Sequence, residues 1–283
     1  MIPPAFEYHR PTDIAGALGV IAEHGDEARV IAGGHSLIPM MKLRMVEIAH
    51  LIDLQDVADL KGISVGETIR IGAMVTQHDL INDEALAAAA PILREAALQI
   101  ADPQVRYCGT VGGNVANGDP GNDMPGLMQC LDATFTLVGP DGARDVPARE
   151  FYEAAYTTAR EDDEILTAIS FSKPSGGYAY EKQKRKIGDY ATAAAAVLIG
   201  KEGGKITSAS IAMTNLSDIP VFSEAAGDAL KGSDGTGEAL DKAVAAMLAD
   251  IDPTEDNRGP VEFKKHVAGV ILRRAIARAV DRA

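Results

Sequence analysis

The stretch Arg29–Arg44, RVIAGGHSLIPMMKLR, is a short strand running into a paired-glycine turn. A strand-to-helix connection needs at most one glycine, so Gly33-Gly34 asks for a second reason. Either the chain turns unusually sharply there, or its backbone N–H groups must stay uncovered so that an anion can lie against them.

A second segment has the same character. CGTVGGNVANGDPGNDMPG, Cys108–Gly126, holds six glycines, three asparagines and two prolines, and nothing in it reads as a regular element. Both loops set a small hydroxyl beside a Gly-Gly pair: Ser36 in GGHS and Thr110 in TVGG. Two bare backbones with hydroxyls nearby are what a diphosphate requires. The chain carries a formal charge of -14, so local dipoles rather than the overall field must hold such an anion. Neither loop fits the Walker A pattern or G-x-G-x-x-G. Asp123 suits either a ribose or ribityl hydroxyl or a helix cap, and Asn114 and Asn117 suit turns.

The third segment is YAYEKQKRKIGDYA, Tyr178–Ala191. Read as a strand, it places Tyr178, Tyr180, Lys182 and Lys184 on one face and Glu181, Gln183 and Arg185 on the other. Such a run is either a solvated edge strand guarded by lysines, or a cation beside a redox ring with Tyr190 supplying an aromatic face.

Composition narrows the function. A chain of 283 residues with 46% hydrophobic residues suits two domains, and the acidic charge argues against nucleic acid and anionic membranes. No apolar run approaches the roughly 20 residues of a membrane span, and the start MIPPAFEYHRP lacks a signal-peptide pattern, so a cytoplasmic location is expected. Cys108 and Cys130 are too few to hold an iron–sulfur cluster. The six histidines show neither HExxH nor i, i+4 pairing, so no metal site is expected.

Along the chain, Thr12 opens a helix with apolar positions Ile14, Leu18 and Ile21, closed by Gly25. Strands are expected at ARVI and HLIDLQDV, and a hairpin at GISVGETIRIGA. Residues 75–101 read as a helix in two pieces broken by Pro91. Strands follow at ATFTLVG, ARDVPA and EILTAISF. Ser172–Gly177, SKPSGG, reads as a linker. Beyond it come two strands joined by a glycine-rich hairpin and three helices. The fold class expected is α+β.

AGGHS (32–36), TVGGN (110–114), GDPGNDMP and YEKQKRKIGDYATAAAA, in this order and spacing, resemble the FAD-binding medium subunits of the molybdenum hydroxylases, and among them the aerobic carbon monoxide dehydrogenase branch. The resemblance covers essentially the whole chain. It implies a two-subdomain FAD-binding fold of the vanillyl-alcohol oxidase type over 1–175, with subdomains of about 1–56 and 57–175. A C-terminal domain of antiparallel sheet plus three-helix bundle would cover 176–283. It implies non-covalent FAD, with Ala32, Gly33, Gly34, His35 and Ser36 on one side of the diphosphate and Thr110, Gly112, Gly113 and Asn114 on the other. Asp123 would bind a hydroxyl, Leu166 would make an apolar flavin contact, and Lys182 and Tyr190 would lie near the isoalloxazine. The molybdenum–copper cofactor and the [2Fe–2S] clusters would sit only in the large and small partner subunits, in a dimer of heterotrimers. A quinone-type acceptor is expected, as is peripheral attachment at the inner face of the cytoplasmic membrane. Two rivals stand beside this reading: a flavoprotein subunit serving an N-heterocycle or aromatic acyl-CoA hydroxylase, and a non-catalytic dinucleotide-binding assembly protein.

Overall fold

A computed structural model of the protein describes residues 2–283. The chain opens with β1 (Glu7–His9), α1 (Ile14–His24), β2 (Ala28–Ile31), α2 (Leu37–Lys42) and β3 (His50–Asp53). These strands form a parallel sheet in the order β1-β3-β2. Asp13, rather than Thr12, caps α1 through a 2.7 Å bond from the Gly16 N–H. Strand alternation sends Ile52 toward Ala17 and Ile21 of α1, while Leu51 packs with Met41 of α2 on the other face.

The second unit begins with the hairpin β4 (Ile63–Val65) and β5 (Thr68–Gly72). Six short helices follow: α3 (Gln77–Asn82), α4 (Glu84–Ala89), α5 (Pro91–Ala97), α6 (Pro103–Cys108), α7 (Val111–Ala116) and α8 (Asp123–Cys130). Then come β6 (Thr134–Gly139), β7 (Gly142–Pro147), the small hairpin β8 (Tyr152–Ala154) with β9 (Thr157–Thr158), and β10 (Ile165–Ser172). The antiparallel sheet runs β4-β5-β10-β6-β7. Its inner face buries Ile69, Ile71, Phe135, Leu137 and Ile169 against Leu80, Leu93 and Leu127 of the helices.

Two local expectations are corrected. The run before residue 101 breaks twice, because Asp83 ends α3 and caps α4 through the Leu86 N–H before Pro91 starts α5. The glycine-rich segment is not irregular throughout. Thr110 caps α7, whose Gly-Gly pair lies inside a helix despite glycine's poor propensity, since close packing outweighs it.

The C-terminal unit is the sheet β11 (Gly177–Gln183), β12 (Ala193–Glu202), β13 (Lys205–Thr214) and β14 (Val221–Phe222), antiparallel in that order, with α9 (Glu224–Leu230), α10 (Gly237–Asp250) and α11 (Val261–Asp281). The alanine run of β12 is buried on both faces. Ala194 and Ala196 join the core beneath α8, while Ala193, Ala195 and Val197 join that of α10 and α11. Small side chains let both helical layers approach the strand, and a Cβ at Gly126 of α8 would lie only 2.3 Å from Thr214 Oγ1 of β13. The architecture is α+β, as expected. Among the described residues, no helix is long and apolar enough to cross a membrane.

Candidate functional site

A cleft of about 830 Å³ opens where the first sheet faces α3 and α6. The carboxyl ends of β2 and β3 supply Ala32, Gly33, Asp53 and Gln55 to one wall, and Thr76, His78, Tyr107 and Thr110 line the other. Ligands of α/β sheets bind outside the carboxyl ends of parallel strands, and the glycine turn after β2 stands at that position.

The two glycine loops play unlike parts. In the first, Gly34 has φ +73°, a conformation glycine adopts without strain. None of the N–H groups from Gly33 to Ser36 is taken up by another described backbone group. Ser36 stands at the N-cap position of α2, yet its hydroxyl makes no capping bond, and His35 is exposed. This loop keeps four amides and a hydroxyl available to an anion.

In the second, the amides are spent. Val111 N–H donates to the Val75 carbonyl, Gly112 N–H to that of Ala73, both at 2.9 Å, and Asn114 N–H to that of Thr110 at 3.1 Å. Gly113 N–H donates to Thr110 Oγ1 at 3.0 Å. Glycine is needed at 112 because a Cβ there would lie 2.5 Å from Ala73 Cβ. Gly33 has the matching reason, since its Cβ would lie 2.3 Å from the Cys108 carbonyl oxygen. The symmetric pair of bare backbones read from the sequence is one donor loop seated on one packing loop. What the second loop leaves unpartnered is the buried Asn114 Oδ1.

Asp123 begins α8 and is buried, 4% exposed, with both oxygens engaged. Tyr180 O–H donates to Oδ1, and Lys182 Nζ approaches Oδ2 at 2.7 Å. β11 is the edge strand of its sheet, and Gln183 on it and Arg185 just beyond it are exposed, but the Lys182 side chain is 1% exposed and is neutralised by a carboxylate rather than standing free. Burial, and then the Asp123 charge, push the Tyr180 phenol well above its ordinary range. Lys184 donates to the Gln99 carbonyl at 3.3 Å, and burial followed by the Lys182 charge lowers its pKa. Leu166 is buried in β10 within the core of the second unit. Tyr190 is half-exposed and lies over Gly121, where a Cβ would meet its ring at 2.8 Å; burial, and then Asp119, raise its pKa.

The sequence reading missed Asp53, which ends β3 on the cleft wall and is 8% exposed. Tyr8 O–H and Gln55 Nε2 both donate to its Oδ2 at 2.5 Å, and Gln55 N–H donates to Oδ1 at 2.9 Å. A legible signal existed: an acid about 20 residues beyond a glycine turn, at the end of the next parallel strand, is where dinucleotide folds place a ribose partner. Tyr107 and His78 stack at 4.1 Å on the opposite wall, and Gln77 beside them is buried with both amide atoms unpartnered.

Comparison with known proteins identifies the family. The family model for the FAD binding domain in molybdopterin dehydrogenase matches residues 4–174, and that for the CO dehydrogenase flavoprotein C-terminal domain matches 178–279. The chain is 56% identical to the carbon monoxide dehydrogenase medium chain of Afipia carboxidovorans, over 100% of this chain and 99% of that one. The chain belongs to the carbon monoxide dehydrogenase medium-chain family. It superposes with a TM-score of 0.98 and 56% identity on a chain of the cyanide-inactivated Cu,Mo-CO dehydrogenase, covering 100% of both. A chain of the Hydrogenophaga pseudoflava enzyme lacking the Mo-pyranopterin moiety matches at TM-score 0.98 and 45% identity, again over 100% of both. Family membership makes this chain the FAD-carrying subunit of an oxidoreductase of the molybdenum hydroxylase class.

Proposed function

We propose that this chain is the electron exit of a carbon monoxide-oxidising complex. CO and water become CO2, two protons and two electrons at a molybdenum–copper centre of a large subunit. A small subunit with two [2Fe–2S] clusters relays the electrons here, and a quinone-type acceptor removes them. The assembly is a dimer of heterotrimers in the cytoplasm, attached peripherally at the inner face of the cytoplasmic membrane. The observation that carries the reading is the row of untaken amides from Gly33 to Ser36, in a loop whose Ala32 and Gly33 line the cleft, in a chain that matches medium chains from end to end.

In this reading Ala32, Gly33, Gly34, His35 and Ser36 hold the FAD diphosphate by backbone N–H groups and the Ser36 hydroxyl. Thr110, Gly112, Gly113 and Asn114 close the other side, with Thr110 and Asn114 supplying side chains. Asp53, held by Tyr8 and Gln55, takes ribose hydroxyls. Asp123 acts through Lys182 and Tyr180, fixing the ammonium group in its buried site, while Leu166 and Tyr190 supply apolar and aromatic surface to the ring. Non-covalent FAD, when bound, supplies the step between one-electron and two-electron carriers. The unit over 1–175 holds the flavin, and the unit over 176–283 buttresses it.

The test is rapid mixing of the assembled complex with CO, before and after release of its flavin. Without flavin the iron–sulfur absorbance should bleach at the native rate while reduction of a quinone analogue stops. Undiminished quinone reduction by the flavin-free complex would overturn the assignment.

A further inference from the structure

We propose that His9, His24 and His50 form a site for one divalent transition metal of the zinc class at the edge of the sheet face that α1 covers. The strand register sets Glu7 beside His50 and His9 beside Ile52, so Glu7, His9 and His50 share a face. Helix α1 covers that face through Ala17 and Ile21, and its last residue is His24. Three imidazoles far apart in sequence therefore converge, their ligand atoms all within 4.8 Å of one another.

The spacing of the three imidazoles is close to what one shared ion requires. His9 Nε2 lies 3.0 Å from His50 Nδ1, and the His24 and His50 rings are 3.6 Å apart. A tetrahedral ion with Zn–N bonds of about 2.0–2.1 Å holds its nitrogens roughly 3.3 Å apart. The stacked His24 and His50 rings, 7° apart in plane, hold their lone pairs in near-parallel planes, and on binding the ion turns them toward one point by rotation about χ2, a soft torsion for histidine. Among the described residues, no buried carboxylate satisfies the cluster. The neighbouring acids, Glu7 at 3.6 Å from His50 and Glu23 at 4.0 Å from His24, are both 74% exposed. Glu7 or water completes the coordination. An all-imidazole set with one oxygen selects Zn²⁺, Co²⁺, Ni²⁺ or Cu²⁺ over Mg²⁺ or Ca²⁺.

Such an ion clips the three-residue β1 to α1 and β3. Tyr8 and Asp53 project from the opposite face of the same sheet toward the cleft, so metal loading leaves flavin binding unchanged.

The experiment uses the full chain with FAD bound, stripped with chelator and titrated with Zn²⁺, with Co²⁺ as the spectroscopic probe. One equivalent should bind, and Co²⁺ should develop the visible absorption of a tetrahedral imidazole site. His24→Ala and His50→Ala should each weaken Zn²⁺ binding at least about tenfold, the loss that removing even a group behind a ligand brings, whereas the exposed His266→Ala should not. Flavin content reports whether each variant has folded. Absence of stoichiometric binding in the unmutated chain, a Co²⁺ spectrum without tetrahedral bands, or unchanged affinity in a folded His24→Ala variant would each overturn the proposal.

Discussion

Lys182 shows how a single residue changes meaning once its neighbours are known. Its ammonium and the Asp123 carboxylate are buried together, and such a pair is costly to break from one side because the remaining charge has no water to solvate it. Lys182→Met should therefore destabilise the chain by about 3–5 kcal/mol. Adding Asp123→Asn should restore much of that loss, since the amide keeps an acceptor for Tyr180 without a stranded charge. Urea unfolding of the single and double variants measures this, and additive losses would show the two residues to be uncoupled. A second ionic residue gives a pH signature. Glu164 accepts from Arg144 Nε and Nη2 at 2.5 and 2.7 Å. Those bonds, against an opposing burial contribution and with help from the Glu161 N–H, lower its pKa. A carboxylate with a folded pKa below its unfolded one adds stability that is full above the ordinary carboxylate range and disappears as pH falls through the lowered value. Glu164→Gln should cost about 1 kcal/mol near neutrality, the Arg144 side chain being 43% exposed and so partly screened, and nothing once the acid limb is passed. Thermal melts between neutral and acid pH should show the two curves converging on acidification.

At the scale of elements, the two glycine loops should respond in opposite ways. Ser36 sits in the donor loop and supports no helix cap, so Ser36→Ala should weaken FAD binding by about 0.5–3 kcal/mol while leaving the unfolding midpoint nearly unchanged. Gly112 sits in the packing loop, where an added Cβ meets Ala73, so Gly112→Ala should cost about 1–3 kcal/mol of stability through overpacking. Flavin titration and denaturant unfolding on both variants check this. Equal effects of both substitutions on both readouts would mean that the loops share one role. The Gly-Gly repetition that made the loops look alike in sequence has different physical origins, close packing at Gly33 with a positive φ at Gly34 in one, and contact of α7 with Ala73 at Gly112 in the other.

Across the whole molecule, one carboxylate ties the C-terminal unit to the flavin-binding unit. Glu95 of α5 accepts from the Tyr180 N–H at 2.7 Å, from Arg278 at 2.7 Å and from Arg282 at 2.9 Å. Arg282 also donates to the Tyr178 carbonyl at 2.8 Å and lies over the Tyr178 ring. Glu95→Ala leaves one buried amide and two guanidinium groups without this partner, at a cost of about 2–3 kcal/mol. Hydrogen exchange should then quicken along α11 and β11 before it changes in β12, whose two buried faces hold it independently. Uniform protection along the whole chain would show that Glu95 does not couple the units.

Much of the fold follows from local pattern alone. Alternating Ile63, Val65, Ile69 and Ile71 around a GET turn, the apolar spacing of α1 and the glycine-rich hairpin between β12 and β13 are decided by period and turn chemistry, which act over a few residues. The order and spacing of AGGHS, TVGGN and YEKQKRKIGDYA were enough to point to the family, because a family resemblance is carried by which residues follow one another in sequence. Distances between residues remote in the chain belong to tertiary structure. Only there do Asp123 and Lys182 neutralise each other, the second loop's amides find Ala73 and Val75, Asp53 reach the cleft wall, and His9, His24 and His50 meet across a sheet and a helix. The physical reason is that hydrogen bonds and ion pairs act over about 3 Å, and which side chains come that close is decided by the packing of elements rather than by the order of residues within them.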